Sequence, residues 1–549
     1  MRSLTALLLC FGLGLLVASG PLAAPAVEPP HDHLRSLQGL AMNAEEAPWG
    51  HWGPVPREYS AWTSHSNRLI PVYIFGGSLA EVSGRNSVYR DAQRLTQLYG
   101  RLPPATLNPD AEYFDQTDVA RLQRSAVDAG KKRIILFVFD GMDYETTRAA
   151  AIYAAGGVKY DRGRGTGLAF QDYRGAPTDF GFCVTSPYSD ATDVDVNAQV
   201  VVDGEGEKYG GFDPRLGGRA PWELPADPRY PISQSKAQVH ATTDSSASAT
   251  SLNAGIKTFN SAVNIDPQGR PVETIAHQLQ RKGWSIGVVT SVQISHATPA
   301  CTYAHNVDRD DYQDLSRDLL GLPSVAHRQI PLRGVDVLLG AGWGISKDAV
   351  AEQGANYVPG NMFLTDADLA RVDQRNGGRY RVVQRTPGVD GAAALKAAAS
   401  EAIAHKQRLF GFFGTIMGHL PFRTADGGYN PTVGAKGIPE MYYAEDLREN
   451  PTLAQMAVAA LDVLSTNDQG FWLMVESGDV DWANHDNNLD NSIGAVISGD
   501  LAFRAVCDWI EGHGGWDDTL LIVTSDHGHD LVLLDPAAIV PPSGRLPTR

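Results

Sequence analysis

Five short runs in this chain are apolar at nearly every position: 134–139 (IILFVF), 286–289, 335–339, 471–475 and 520–524. Consecutive apolar residues, unlike an alternating pattern, mark strands buried on both faces, as in a parallel sheet. Between them the period changes. Leu453, Met456, Ala457, Ala460, Leu461 and Leu464 recur at three-and-four spacing after Pro451, which predicts an amphipathic helix. Residues 392–407 are rich in strong helix formers. Strands alternating with helices predict a three-layer α/β/α fold around a mostly parallel central sheet. Three zones, 156–239, 310–331 and 351–443, lack long periodic runs and read as insertions that cap a site.

The first 26 residues read differently. Arg2, an apolar stretch over 4–18 and the small residues Ala24-Pro25-Ala26 form a secretory signal pattern. That stretch is shorter than the roughly 20 residues a transmembrane helix needs, so no transmembrane anchor is expected. Residues 27–549 then form one catalytic domain, periplasmic or secreted. Beyond Cys10, the cysteines are Cys183, Cys301 and Cys507, an odd number without CxxC spacing, and Cys507 sits on an apolar helical stripe as buried filler. Asp193-x-Asp195-x-Asn197 lacks the turn glycine of a calcium loop and reads as an exposed strand. His31 and His33 read as tail residues, and His405 as a favourable charge at a helix end.

Composition is globular, with 43% hydrophobic and 20% charged residues in 549. A net charge of −17 and no long basic tract exclude a nucleic-acid scaffold. Acidic enzymes still handle anions when bound cations reverse the local sign.

The chemistry gathers where the apolar runs end. Asp140 follows the first run. Glu476, Asp481 and His485 follow the fourth, and Asp526, His527 and His529 follow the fifth. In open α/β sheets the ligand crevice lies at those strand ends. Asp481 and His485 are one helical turn apart, so both can face one ion. In TDSSASAT (243–250), small residues open a helix whose free N–H groups attract phosphate. HATPA (296–300), followed by His305 and Arg309, offers Thr298 to a hard metal and a guanidinium fork to phosphate oxygens.

FVFDGM, TDSSASAT with GIKTFN, HATPA with Arg309, VDVLLGAGWG, LMVESGDVDWANH and VTSDHGH occur in this order over residues 131–530. Together they closely resemble the alkaline phosphatase family. The resemblance implies a phosphate monoester hydrolase in which Ser245 becomes phosphoserine. It implies one zinc on Asp140, Asp526 and His527, a second on Asp481 and His485, and one magnesium on Asp140, Thr298 and Glu476. It gives Arg309 to the phosphate, Asp244 to the orientation of Arg309, and His529 to the support of Asp481. His296 and Trp482 stand where some members carry an acid and a basic residue, which puts the magnesium in question. Small phosphate monoesters are the implied substrates, and a homodimer the implied assembly. A phosphodiesterase or sulfatase of the same wider group, or an inactive metal-binding relative, are the alternatives; the Cys/Ser-x-Pro-x-Arg start of a sulfatase is absent around Ser245.

The family pattern supplies one more histidine to the second zinc, far downstream of the Asp-His pair. No histidine follows His529 here. Residues 60–76 (SAWTSHSNRLIPVYIFG) instead resemble that late segment, and 113–126 resemble its closing helix, with Thr117 as cap. The chain therefore reads as a circular permutation with the late segment at 60–128. His65 completes the zinc site if residues 69–75 add a strand to the sheet; otherwise it is a loop histidine and the site is incomplete.

Overall fold

The computed structural model describes residues 33–203, 206–437 and 440–542. The signal pattern at 1–26, Cys10 and His31 lie outside the described residues.

Ten strands form the central sheet. In chain order they are β1 (Ile70–Phe75), β2 (Phe114–Asp115), β3 (Arg133–Phe139), β4 (Thr178–Val184), β5 (Ser285–Gln293), β6 (Val337–Ala341), β7 (Tyr380–Gln384), β8 (Arg408–Phe412), β9 (Phe471–Ser477) and β10 (Thr519–Thr524). Their spatial order is β7-β8-β6-β5-β9-β3-β10-β1-β4-β2. The five apolar runs are β3, β5, β6, β9 and β10, and all five are parallel.

β3 shows why the runs do not alternate. Ile135, Phe137 and Phe139 enter one core while Ile134, Leu136 and Val138 enter the other, and all six are fully buried. Helices cover both faces. On the first lie α5 (Gly391–His405), α6 (Leu453–Leu464) and α8 (Leu489–Gly512); on the second lie α1 (Thr117–Asp128), α2 (Ser245–Ala254) and α4 (Tyr312–Leu320). This is the expected three-layer fold. Thr452 caps α6 and shares a capping box with Gln455, one residue past the Pro451 that signalled the start.

β1 alone runs against its neighbours, pairing antiparallel with β10 and with β4. Its beginning therefore lies at the edge where the parallel strands end. The pairing continues past both strands: the Ser66 N–H donates to the Gly528 carbonyl at 2.7 Å, and the Gly528 N–H returns to Ser66 at 3.2 Å. Residues 60–69 are thus drawn to the sheet's carboxyl edge.

Four expectations need correction. The zones 156–239 and 351–443 also supply β4, β7 and β8 to the central sheet. The strands outside the apolar runs hide because they are short and interrupted. Gly181 in β4 and Gly411 in β8 sit where a Cβ would meet Leu79 at 2.8 Å and Leu339 at 2.7 Å, so packing demands glycine inside the strand. Residues 310–331 are partly helical, since α4 is amphipathic and packs Leu315 and Leu319 inward. His33 is no tail residue: it begins a helix, His33–Ala44, and its Nε2 lies 2.9 Å from the Ala538 carbonyl. Finally, the acceptor at the start of α1 is Asp115, which takes the Thr117 N–H and hydroxyl at 2.8 Å each, and Thr117 is a donor to it. Asp193–Asp195 is an exposed strand, as read. Cys183, Cys301 and Cys507 are buried free thiols, and His405 ends α5.

Candidate active site

Three neighbouring parallel strands hand polar residues to the same edge. Asp140 follows β3, Glu476 lies near the end of β9, and Asp526 and His527 follow β10. Two short helices complete the rim: α3 (Ala297–Ala300), after β5, carries Thr298, and α7 (Asp479–His485), after β9, carries Asp481 and His485. Opposite them α2 begins with Ser245.

Three ligand groups result, and the ligand atoms within each lie within 4.8 Å of one another. In one, His527 Nε2 lies 3.3 Å from Asp526 Oδ2 and 3.5 Å from Asp140 Oδ1. Ser245 Oγ stands 3.1 Å from the same nitrogen. In another, Asp481 Oδ1 lies 3.5 Å from His485 Nε2 and 3.9 Å from His65 Nε2, and the two imidazoles are 3.1 Å apart. His529 Nε2 reaches the same oxygen at 2.6 Å and belongs to the same group of possible ligands. The last group is Asp140, Glu476 and His296, beside the buried Thr298 hydroxyl. His296 thus stands among the ligands of the expected magnesium site.

Arg309 stands beside these groups, its Nη2 3.4 Å from His296 Nε2. Asp244 caps α2 through the Ala247 N–H at 2.9 Å, and its other oxygen accepts from Arg309 Nη1 at 3.2 Å. The Ser246 hydroxyl and the Ser261 N–H hold that oxygen at 2.9 and 3.0 Å. Asp244 therefore orients Arg309 while the helix N-terminus faces the crevice. Trp482 closes one side, its ring 6.1 Å from His296 and packed against Phe422 and His419.

Burial sets the electrostatics. It raises Asp140 well above the usual carboxylate range, helped by Asp526, Asp481 and Glu476. It lifts Glu476 to about 8 and Asp526 to about 6. It works against Asp481 as well, but His485, His529 and His527 outweigh it and hold that carboxyl well below its usual range. Burial also depresses His65 and His527 well below ordinary histidine, and takes His296 to about 3 with help from Arg309. Neutral imidazoles beside crowded carboxylates are the state a cation selects.

The donor set fits divalent cations on independent grounds. Both oxygens of Asp140, Oδ2 of Asp526, Oε1 of Glu476 and Oγ1 of Thr298 are sealed from solvent without a hydrogen-bond partner. Such orphaned oxygens are costly unless a cation takes them. His485 Nδ1 donates to the Thr63 carbonyl at 2.7 Å, which leaves Nε2 unprotonated toward Asp481 and His65.

Several supporting residues escaped the sequence reading. The Thr290 hydroxyl donates to Glu476 Oε2, and Gln116 Nε2 donates to the Asp526 carbonyl at 2.9 Å. Ser525 Oγ receives the Met142 N–H at 2.8 Å. Thr290 and Ser525 alone left a signal, each a polar residue directly after an apolar run. His419, given no role from sequence, bonds Glu440 at 3.0 Å and stacks on Phe422.

Comparison with known proteins identifies the family. The family model described as alkaline phosphatase matches residues 226–537. Alkaline phosphatase 4 of Bacillus subtilis (strain 168) is 28% identical over 303 residues, which cover 55% of this chain and 50% of that protein. The Escherichia coli (strain K12) alkaline phosphatase is 27% identical, over 57% of this chain and 63% of its own. The chain thus spans half to just under two thirds of these relatives' length. Among solved structures, the cold-active alkaline phosphatase of Shewanella sp. aligns with a TM-score of 0.43 at 22% identity, covering 72% of this chain and 68% of that one. That of Thermus thermophilus also gives 0.43 at 22%, covering 73% and 60%. The family-model match takes in more than half of the chain and all of its helix-start, Arg309 and Asp-His motifs, and the protein belongs to the alkaline phosphatase family.

Proposed function

We propose that this protein is a metal-dependent phosphate monoester hydrolase that works through a phosphoserine on Ser245 and releases inorganic phosphate. One observation carries the reading: Ser245 Oγ, at the N-terminus of α2, stands 3.1 Å from His527 between the two histidine-carboxylate groups. Asp140, Asp526 and His527 would hold one zinc, and Asp481, His485 and His65 another. Asp140, Glu476 and Thr298, with His296 beside them, would hold a magnesium. When bound, such ions activate oxygen nucleophiles and neutralise charge on the transferring phosphoryl group.

The chain's own residues bind and orient. Arg309, held by Asp244, clamps the phosphoryl oxygens, and the free N–H groups of α2 add positive potential. Ser245 Oγ forms a bond to phosphorus as the ester oxygen leaves with its alcohol. Water then breaks the Ser245–phosphorus linkage, restoring the hydroxyl and releasing phosphate. Phosphoryl transfer asks mainly for positioning and charge stabilisation, which this arrangement supplies. Substrate identity is read by the phosphoryl group, so small phosphate monoesters in general are the proposed substrates, for an exported enzyme.

The proposal extends to chain order. β1 and α1 stand in for the family's late segment, so a circular permutation brings His65 to the site. Acid quenching during turnover of a phosphomonoester, followed by peptide mapping, should place phosphate on Ser245. Phosphate on Ser246 or Ser248 moves the nucleophile, and turnover with no phosphoserine sinks the mechanism.

A further inference from the structure

A separate cluster of metal-binding side chains lies beyond the Arg309 loop. His305, Asp318 and His327 come from three segments: the loop after α3, the last turn of α4, and the loop that follows α4. Their ligand atoms all lie within 4.8 Å of one another. His305 Nδ1 is 3.0 Å from His327 Nε2, and His327 Nε2 is 3.8 Å from Asp318 Oδ2.

The surroundings prepare these atoms. His305 Nε2 lies 2.9 Å from the Val272 carbonyl, to which only a protonated nitrogen can donate. The proton is therefore on Nε2, and Nδ1 presents a lone pair toward His327. A ligand imidazole normally has its other N–H tied in this way. Asp318 is fully buried; Oδ2 accepts the His305 backbone N–H at 3.0 Å, and Oδ1 is sealed from solvent without a hydrogen-bond partner. The His277 ring stacks on His305 at 5.0 Å and 11°, fixing the plane of the imidazole. His327 is the outermost of the three, with its side chain 18% exposed, and gives an ion a way in.

From this geometry we infer that His305, Asp318 and His327 form an additional cation site, selective for zinc or a similar late first-row ion, separate from the catalytic groups. Two imidazoles and one carboxylate are the ligand types zinc prefers, and three protein ligands leave one position for water. The site ties the loop that continues to Arg309 to α4 and to the segment behind it. Its role is structural: it fixes the stem of the phosphate-binding arginine without touching substrate.

Crystals of the full chain grown with zinc chloride as the only divalent metal, measured above and below the zinc absorption edge, test this directly. The expected result is an anomalous peak bonded to His305 Nδ1, His327 Nε2 and Asp318. In His327→Ala that peak is lost, and equilibrium dialysis shows one zinc fewer per chain. Asp318→Asn, which keeps an acceptor for the His305 N–H, should weaken the same site in a protein that still folds. Peaks at the Asp481 and Asp140 groups with none at His305 overturn the inference and leave a hydrogen-bonded imidazole pair. So does an unchanged zinc count in both variants. Loss of the His305 peak with turnover retained separates this site from the proposed catalytic one.

Discussion

His65 Nε2 lies 3.1 Å from His485 Nε2 although 420 residues of chain separate them. The antiparallel pairing of β1 with β10 produces this meeting, because it turns the start of β1 toward the carboxyl edge of the sheet. Two imidazoles this close, both held neutral by burial, have lone pairs available for the same ion.

On the proposed assignment, His65→Ala should therefore remove one of the two zinc ions. Asp481 and His485 would remain, fewer than the three protein ligands usual for catalytic zinc. Losing even an outer partner of a metal ligand costs roughly 10–100-fold in affinity or activity, so turnover should fall at least that far. Competitive inhibition by phosphate, which rests on Arg309, should change less. Elemental analysis beside steady-state kinetics reads both effects, and an unchanged zinc content with wild-type turnover would refute the role of His65.

Chelation should abolish turnover, and zinc should restore it, with a smaller gain from magnesium. The same treatment should lower the melting temperature, since Asp140, Asp526 and Glu476 are left facing one another in a dry pocket. Full turnover in protein that contains no metal by elemental analysis would contradict this.

Arg309→Ala should act on binding more than on the metals. A hydrogen bond to a charged group contributes about 1.5–3 kcal/mol, so KM and the inhibition constant for phosphate should rise roughly 10- to 100-fold. Asp244→Asn should weaken phosphate binding by a lesser factor, because Arg309 loses its charged anchor at 3.2 Å. If Arg309→Ala loses zinc instead, the arginine is part of the metal scaffold and not the phosphate clamp.

The catalytic edge was more legible than the sheet that carries it. Asp140 and Glu476 stand directly after apolar runs, Asp526 and His527 follow one within three residues, and Asp481 and His485 lie on the helix that comes after the fourth; a buried strand end that carries a carboxylate needs something to take the charge. β4 carries Asp179 and Gly181 within seven residues. β7 carries Arg381 at the sheet's edge, so neither reads as a run. His65 stands out in the sequence because no histidine follows His529, whereas His305, Asp318 and His327 have no motif spacing and meet only through the tertiary fold. Glycines in β4 and β8 break the apolar pattern, and they answer to side chains of neighbouring elements.

The closing helix of the early segment rests on a buried ion pair. Lys257 Nζ and Asp115 Oδ1 are 3.2 Å apart with both side chains fully buried. Asp115 also accepts the Tyr89 hydroxyl at 2.7 Å and the Thr117 N–H at 2.8 Å, so its charge has other uses than the lysine. Lys257→Met leaves that carboxylate without its cation and should cost about 3–5 kcal/mol. Urea unfolding measures this; a loss below 1 kcal/mol would show that the tyrosine and backbone donors suffice.

The last prediction concerns Asp500, in the middle of α8. Its carboxylate accepts the Ala169 N–H at 2.9 Å and the Phe170 N–H at 3.1 Å, and thereby anchors the chain between β3 and β4 to the helix layer. Burial raises its pKa to about 6, even though these two donors and Arg504 pull it down. An unfolded aspartate titrates near 3.9. Between these values the folded protein holds a proton that the unfolded chain releases, so stability falls as pH rises through that window. The contribution is fully present below the unfolded pKa and is lost by the time pH passes about 6, a swing of roughly 2–3 kcal/mol. Asp500→Asn cannot titrate. The difference in unfolding free energy between native protein and variant, both chelated so that metal loss is common to them, should move against the native protein from pH 4 to 6.5. Parallel curves across that range would mean that Asp500 is ionised throughout and that its two backbone donors outweigh its burial.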